Sequence, residues 1–213
     1  ALMEKLAAGR LPFLVATVEG LLQRTLPPQA LEQYCFRLKV GQSQDLAQLA
    51  EALSAAGYIR CDQVEGVGQF ALRGGILDVY APGMDAPARV EFFGDEVDAM
   101  GSFDLSTQRR TENLEEVRLL PAAETLPQLA PGGLAGLSER LRQLAAKAAQ
   151  NGLKELAATL EQDREAISQG RSFPAMDRYL PLIYPKAASA AHYLPGDACV
   201  VFSECARVAD RAK

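Results

Sequence analysis

Between residues 58 and 120 the chain breaks into short apolar stretches, each ended by glycine, proline or acidic residues. They are Tyr58–Val64, Gln69–Leu72, Gly75–Tyr80, Ala88–Phe93, Val97–Phe103 and Val117–Leu120. Runs of this length with turn residues between them form strands, and their cadence predicts an antiparallel sheet. Phe93-Gly94-Asp95-Glu96 reads as the turn of one hairpin. Upstream, Glu32–Val40 alternates Tyr34, Phe36, Leu38 and Val40 on one face with Gln33, Cys35, Arg37 and Lys39 on the other, as a strand does. A helix is predicted from Asp45 to Ala56, because Leu46, Leu49, Ala50 and Leu53 form one apolar stripe. Asp45 caps its start with Gln48 at the capping-box position, and Gly57 supplies its left-handed stop. One helix on an antiparallel sheet makes residues 31–120 an α+β domain.

The flanks have a different character. Leu11–Thr17 is a short apolar run of the kind found inside parallel sheets. Val18–Arg24 follows as a helical turn ended by Pro27-Pro28, and residues 1–30 carry too little apolar surface to be a domain. After a linker at Pro127, Pro131 and Gly132-Gly133, Leu134, Leu137, Leu141 and Leu144 set an amphipathic helix from about Gly136 to Gln150. Asn151-Gly152 breaks it, and Leu153, Leu156, Leu160 and Ile167 continue the period to about Gln169, as two antiparallel helices or one kinked helix. Ala198–Ser203 reads as a second buried strand. Residues 1–30 and 121–213 thus each offer one buried strand around a self-contained middle. That is the pattern of one domain inserted in another, and the fold class is α/β combined with α+β. The chain begins at Ala1 and stops in the charged stretch Arg207–Lys213, and it reads as a piece of something longer.

Charge and missing motifs narrow the chemistry. With 22 Lys+Arg against 27 Asp+Glu the net charge is −5, against a chain that holds DNA by charge alone. A phosphate loop of the G-x-x-x-x-G-K-[ST] type needs Gly-Lys, a dipeptide that the chain lacks. Gly66-Val67-Gly68 is a turn rather than a dinucleotide fingerprint, which needs a third glycine. The single histidine, His192, cannot build a zinc hydrolase site, and a pairing with Cys199 is interrupted by Pro195-Gly196. Cys35, Cys61, Cys199 and Cys205 are too scattered for a zinc ribbon and too few for a disulfide scaffold, which fits a reducing cytoplasm. Glu115 and Glu116 point to opposite faces, and Asp95, Glu96 and Asp98 do not follow the calcium-loop pattern. No run approaches 18 apolar residues, so no membrane span is expected. No cofactor, metal or catalytic activity is expected of this chain.

The candidate site therefore binds rather than reacts. In Ala88–Phe93 the alternation puts Val90 and Phe92 on one face and Arg89, Glu91 and Phe93 on the other. With Val90 and Phe92 in the core, Phe93 stands beside two charges, and an exposed aromatic next to an arginine is the combination found at protein–protein hot spots. Arg73 precedes Gly74-Gly75, where a bare backbone lets a partner approach closely. A single Arg-Gly-Gly between strands is not an RNA-binding repeat.

The stretch Gly68–Pro82, with Arg73-Gly74-Gly75-Ile76-Leu77-Asp78 at its centre, is followed by Arg89-Val90-Glu91-Phe92-Phe93-Gly94-Asp95-Glu96 and then by Phe103-Asp104 and Thr107-Gln108-Arg109. These motifs, at this spacing, resemble the amino-terminal UvrB-homology region of bacterial transcription-repair coupling factors (Mfd), and the match is strong over about residues 57–121. UvrB resembles it too, but typically carries Arg-Gly-Asp where this chain has Arg73-Gly74-Gly75, and has an intact phosphate loop upstream.

The resemblance implies a partial, degenerate, RecA-like α/β domain similar to UvrB domain 1, interrupted by a UvrB domain 2-like module that docks UvrA. It places Arg73, Arg89 and Phe93 in contact with UvrA, with Gly74, Gly75 and Glu91 as neighbours. RNA polymerase and DNA are then partners of other parts of the parent protein, including an ATP-dependent motor outside this chain, in the bacterial cytoplasm. On this reading Arg89→Ala is expected to weaken UvrA binding at an unchanged melting temperature. The alternative is a fragment of UvrB itself, working in damage verification, and a third reading is a structural domain with no partner.

Overall fold

The computed structural model describes residues 2–11, 13–171, 173–186 and 188–212. Three short helices, Leu2–Ala7 (α1), Val18–Leu22 (α2) and Pro28–Gln33 (α3), precede strand Phe36–Lys39 (β1) and helix Leu46–Ala55 (α4). Seven strands follow: Ile59–Arg60 (β2), Gln69–Arg73 (β3), Ile76–Tyr80 (β4), Ala88–Phe93 (β5), Glu96–Phe103 (β6), Arg110–Asn113 (β7) and Glu116–Leu119 (β8). The remainder is helical: Gly133–Gln150 (α5), Lys154–Ser168 (α6), Leu180–Ile183 (α7) and Cys205–Arg211 (α8), with short 3-10 turns between them. The chain divides into two compact units, residues 2–5 with 29–124 and residues 6–28 with 125–212.

The first unit is built on a six-stranded sheet in the order β2-β3-β4-β5-β6-β7, with β1 and β8 as a separate antiparallel ribbon. One face of the sheet carries Phe70, Leu77, Val79, Ala88, Val90, Val97 and Met100, all at most 1% exposed, and these pack with Leu49, Ala50 and Leu53 of α4 and with Leu38, Val117 and Leu119 of the ribbon. The α4 stripe is buried as its spacing requires, and Asp45 accepts a hydrogen bond from the Gln48 amide at 2.8 Å. Gly57 ends the helix at φ +87°, and a Cβ there would lie 2.6 Å from that of Ala123, so this stop tolerates no side chain. The Tyr58 hydroxyl donates to the Leu120 carbonyl at 2.5 Å, which ties the end of β8 to the start of the sheet.

Two expectations for this unit need correction, and one strand had not been expected. The strand predicted over Glu32–Val40 begins only at Phe36, because Pro28 starts a helix that runs through Gln33. The sheet is mixed, since β2 runs parallel to β3 through two residue pairs, Ile59 with Gln69 and Arg60 with Phe70. Strand β7 has no apolar alternation to announce it; all four of its residues are exposed at a sheet edge.

In the second unit α5 and α6 are two helices joined at Asn151-Gly152-Leu153, not one kinked helix. Leu137, Leu141, Ala145 and Ala148 of α5 are buried, as are Leu160 and Ile167 of α6, while Leu134 and Leu144 sit at the edges of the stripe, 38% and 40% exposed. Asp163, buried in α6, accepts from the Tyr179 hydroxyl at 2.6 Å. The strands expected at Leu11–Thr17 and Ala198–Ser203 are absent from the described residues of these segments, and Pro12 lies outside them. Phe13, Val15 and Val201 are 80%, 87% and 84% exposed. A buried strand must pair its amides and carbonyls with neighbours, and among the described residues of this unit there is no strand to pair with. Sheets in the first unit and helices in both make the chain a mixed α/β protein; no helix among the described residues is long and apolar enough to cross a membrane.

Candidate protein-docking face

The sheet face opposite α4 gathers the predicted residues. Paired residues of neighbouring strands point to the same side, and the register aligns Arg73 with Ile76, Ile76 with Glu91 and Glu91 with Ala99. The adjacent row aligns Ala71 with Asp78, Asp78 with Arg89 and Arg89 with Gly101. The irregularity beside Glu91 and Phe92 falls on β6, which passes from Ala99 to Val97 and leaves Asp98 as the extra residue. Alternation along β5 is therefore unbroken, and Phe93 joins Arg89 and Glu91 on this face. Phe93 as a whole residue is 83% exposed at the hairpin end, where Gly94 takes φ +60°.

The two arginines are not free. Asp78, 1% exposed, accepts from Arg89 Nε at 2.7 Å through Oδ1 and from Arg89 Nη2 at 2.8 Å through Oδ2. Arg73 Nη2 donates to the same Oδ2 at 2.7 Å. Arg89 Nη1 reaches the Gln108 carbonyl at 3.3 Å, and the guanidinium stacks 4.8 Å above the Phe103 ring. The hydrogen bonds to Asp78 raise the Arg89 guanidinium above its ordinary pKa, so it is charged at every accessible pH. The Arg89 side chain is only 21% exposed, whereas that of Arg73 is 51% exposed. This arrangement corrects the expectation of an unchanged melting temperature for Arg89→Ala: truncation would strip a buried carboxylate of its bidentate partner, which destabilises.

One of the two glycines acts differently from expectation. Gly74, at φ +60°, has open space where a Cβ would stand. Gly75 is packed inward: a Cβ would meet the Phe92 carbonyl at 2.8 Å, and its own carbonyl accepts from the Phe92 amide at 2.7 Å. Its bareness serves the β4–β5 pairing rather than an approaching partner.

Three residues escaped the sequence reading. Asp78 is the hub of the arginine pair. Arg110 of β7 lies across Gly101, where a Cβ would be 2.5 Å from the Glu112 carbonyl; it bonds Glu91 at 3.0 Å and also donates to the Met100 carbonyl. Ile76, 37% exposed, adds apolar surface in the row between Arg73 and Glu91. The position of Asp78 was available in principle: the two-residue turn Gly74-Gly75 sets Arg73 opposite Ile76, and Asp78 is the next residue on that face. Elsewhere, His192 accepts the Ser189 amide at 3.1 Å as part of a helix cap, and the four cysteines are free thiols. Among the described residues no cluster of three or more potential metal ligands occurs.

Residues 36–124 match the UvrB interaction domain family. Over 210 residues, 97% of this chain and 18% of the relative, the chain is 31% identical to the transcription-repair-coupling factor of Bacillus subtilis. It is 42% identical over 117 residues to that of Myxococcus xanthus, covering 55% of this chain and 10% of the relative. To that of Escherichia coli it is 39% identical over 111 residues, 52% of this chain and 10% of the relative. The chain thus spans less than a fifth of the length of these relatives. The matched segment contains the whole of the candidate face from Arg73 to Arg110, and the chain belongs to the UvrB interaction domain family in the form carried by transcription-repair-coupling factors.

Proposed function

We propose that this chain is the non-catalytic docking module of a transcription-repair coupling factor, and that it recruits UvrA for nucleotide excision repair where RNA polymerase has stalled. The observation that carries this reading is Phe93, 83% exposed beside the half-exposed Arg73 on the sheet face of a UvrB interaction domain. Arg73, Arg89 and Phe93, with Gly74, Gly75 and Glu91 around them, form the face that meets UvrA. Phe93 supplies apolar area, and the donors that Arg73 does not spend on Asp78 meet a carboxylate of the partner. RNA polymerase, DNA and the ATP-driven motor belong to other parts of the parent protein, which acts in the bacterial cytoplasm. No cofactor or metal enters the proposal.

The test is a titration of UvrA against this chain and its Phe93→Ala variant. Burying the ring fully is worth about 1.5–3 kcal/mol, so the variant should bind roughly 10- to 150-fold more weakly. Equal binding by both chains refutes the proposal. The names of the relatives favour a coupling factor over a UvrB fragment; robust ATP hydrolysis by the isolated chain would reverse that preference.

The resemblance extends the proposal to the flanks. Phe13–Val15 and Val200–Phe202, exposed as they stand, are assigned to the degenerate RecA-like α/β domain of the intact parent, into which the docking domain is inserted. Their amides should then be protected from hydrogen exchange in the parent protein; rapid exchange there rejects the assignment.

A further inference from the structure

We infer that Asp78 is the positioning residue of the docking face: clamped from one side by Arg89, it holds Arg73 in one orientation toward the partner. This rests on the docking function proposed above. The geometry separates the roles. Arg89 spends Nε and Nη2 on Asp78 and Nη1 on the Gln108 carbonyl, and lays its plane over Phe103. Its side chain stays 21% exposed. Arg73 gives Asp78 a single hydrogen bond from Nη2 and keeps half of its side chain in solvent. A free surface arginine samples many rotamers and loses that freedom on binding. Here the anchor lies beneath the surface, because Asp78 is 1% exposed and is itself clamped by Arg89.

Charge gives the same division of labour. Two guanidiniums share one carboxylate, which leaves one positive charge uncompensated, and Arg73 carries it to the surface. Next to them Glu91 and Arg110 neutralise each other at 3.0 Å. The matching partner surface is a carboxylate set beside an apolar socket for Phe93 and Ile76. The presence of an acidic group close to the docking arginines would otherwise be unfavourable, since it opposes the approach of an acidic partner. Positioning explains why the face carries it.

The distinguishing experiment is a double-mutant cycle on UvrA binding by the full chain, with Asp78→Asn and Arg73→Ala. Asp78→Asn keeps the side-chain shape and makes the face more positive by one charge. If the arginines acted as an unpositioned cationic patch, binding would hold or tighten. Positioning gives the opposite sign: a loss on the order of tenfold, as for Arg73→Ala, and little further loss in the double variant, because non-additivity marks residues that act as a unit. Tightened or additive binding overturns the inference. If Asp78→Asn does not fold, Arg89→Lys replaces it in the cycle, since lysine keeps the charge but lacks the fork that spans both carboxylate oxygens. Wild-type affinity in Arg89→Lys likewise overturns the inference. Phe93→Ala is the control. A wild-type chain that fails to bind, or an indifferent Phe93→Ala, removes the docking reading and this inference with it. A weakened Phe93→Ala with a tightened Asp78→Asn removes this inference alone.

Discussion

Arg89→Ala should destabilise the first unit by about 3 kcal/mol, a cost that arises almost entirely from what it leaves behind. The substitution removes the Nε–Oδ1 and Nη2–Oδ2 bonds, so Oδ1 of a 1% exposed carboxylate loses its donor while Oδ2 keeps Arg73. An orphaned buried acceptor costs about 1–3 kcal/mol, and a lost cation–π contact, here with Phe103, about 0.5–1 kcal/mol. Removing one partner of a buried ion pair costs about 3–5 kcal/mol. The lower end applies because Arg73 still neutralises Asp78 and because the vacated site opens to water. The measurement is native-state amide exchange in β4 and β5, which reads the opening of this unit without interference from the helical one. About 3 kcal/mol corresponds to a protection factor lowered roughly 150-fold. Phe93→Ala, at an 83% exposed position, should stay within about 0.5 kcal/mol of the wild type. Protection in Arg89→Ala within the same margin would show that Asp78 does not depend on Arg89, and the ion-pair argument would fail.

Two further outcomes follow from the surroundings of the same face. Gly101→Ala should cost about 1–3 kcal/mol by overpacking, because its Cβ would lie 2.5 Å from the Glu112 carbonyl and on top of Arg110; an unchanged urea midpoint contradicts the packing described. Asp104 accepts from Ser106 Oγ, then from the amide and hydroxyl of Thr107, and these donors hold its carboxyl down at about 2 from an ordinary 3.8. A lowered folded-state pKa means that the loop contact is complete above pH 3.8 and is lost as the pH falls toward 2. The Asp104 carboxyl shift and the Thr107 amide should therefore titrate together with a midpoint near 2, and a midpoint near 4 refutes the capped loop.

The elements legible in the sequence were those whose burial leaves a period. Leu49, Ala50 and Leu53 mark α4, and the alternation of Val90 and Phe92 with Arg89, Glu91 and Phe93 marks β5. Strand β7 was illegible because it is an edge with all four residues exposed, so no period could form. The runs at residues 11–17 and 198–203 misled for the opposite reason. Apolar, β-branched residues fit a strand wherever neighbours exist, and propensity carries no information about whether a neighbour is present.

The candidate face divides along a similar line. The exposure of Phe93 follows from its own strand, because parity on β5 is settled once Val90 is known to face the core. The fate of the two arginines depends on what lies opposite them, which is a property of register. Asp78 pairs with Arg89 across β4 and β5, and reaches Arg73 diagonally across the Gly74-Gly75 turn. Alternation thus brings both arginines and the phenylalanine to one side, while the pairing register converts one of the arginines from an open hand into an internal clamp. A face read by alternation alone overstates its free charge, since cross-strand partners of opposite sign are what a sheet selects for at a half-buried row. The aromatic is the least affected, because nothing across the strands can satisfy a ring at the end of a hairpin. On the proposed docking, Phe93 is therefore the position at which binding and stability separate, and Arg89 the position at which they do not.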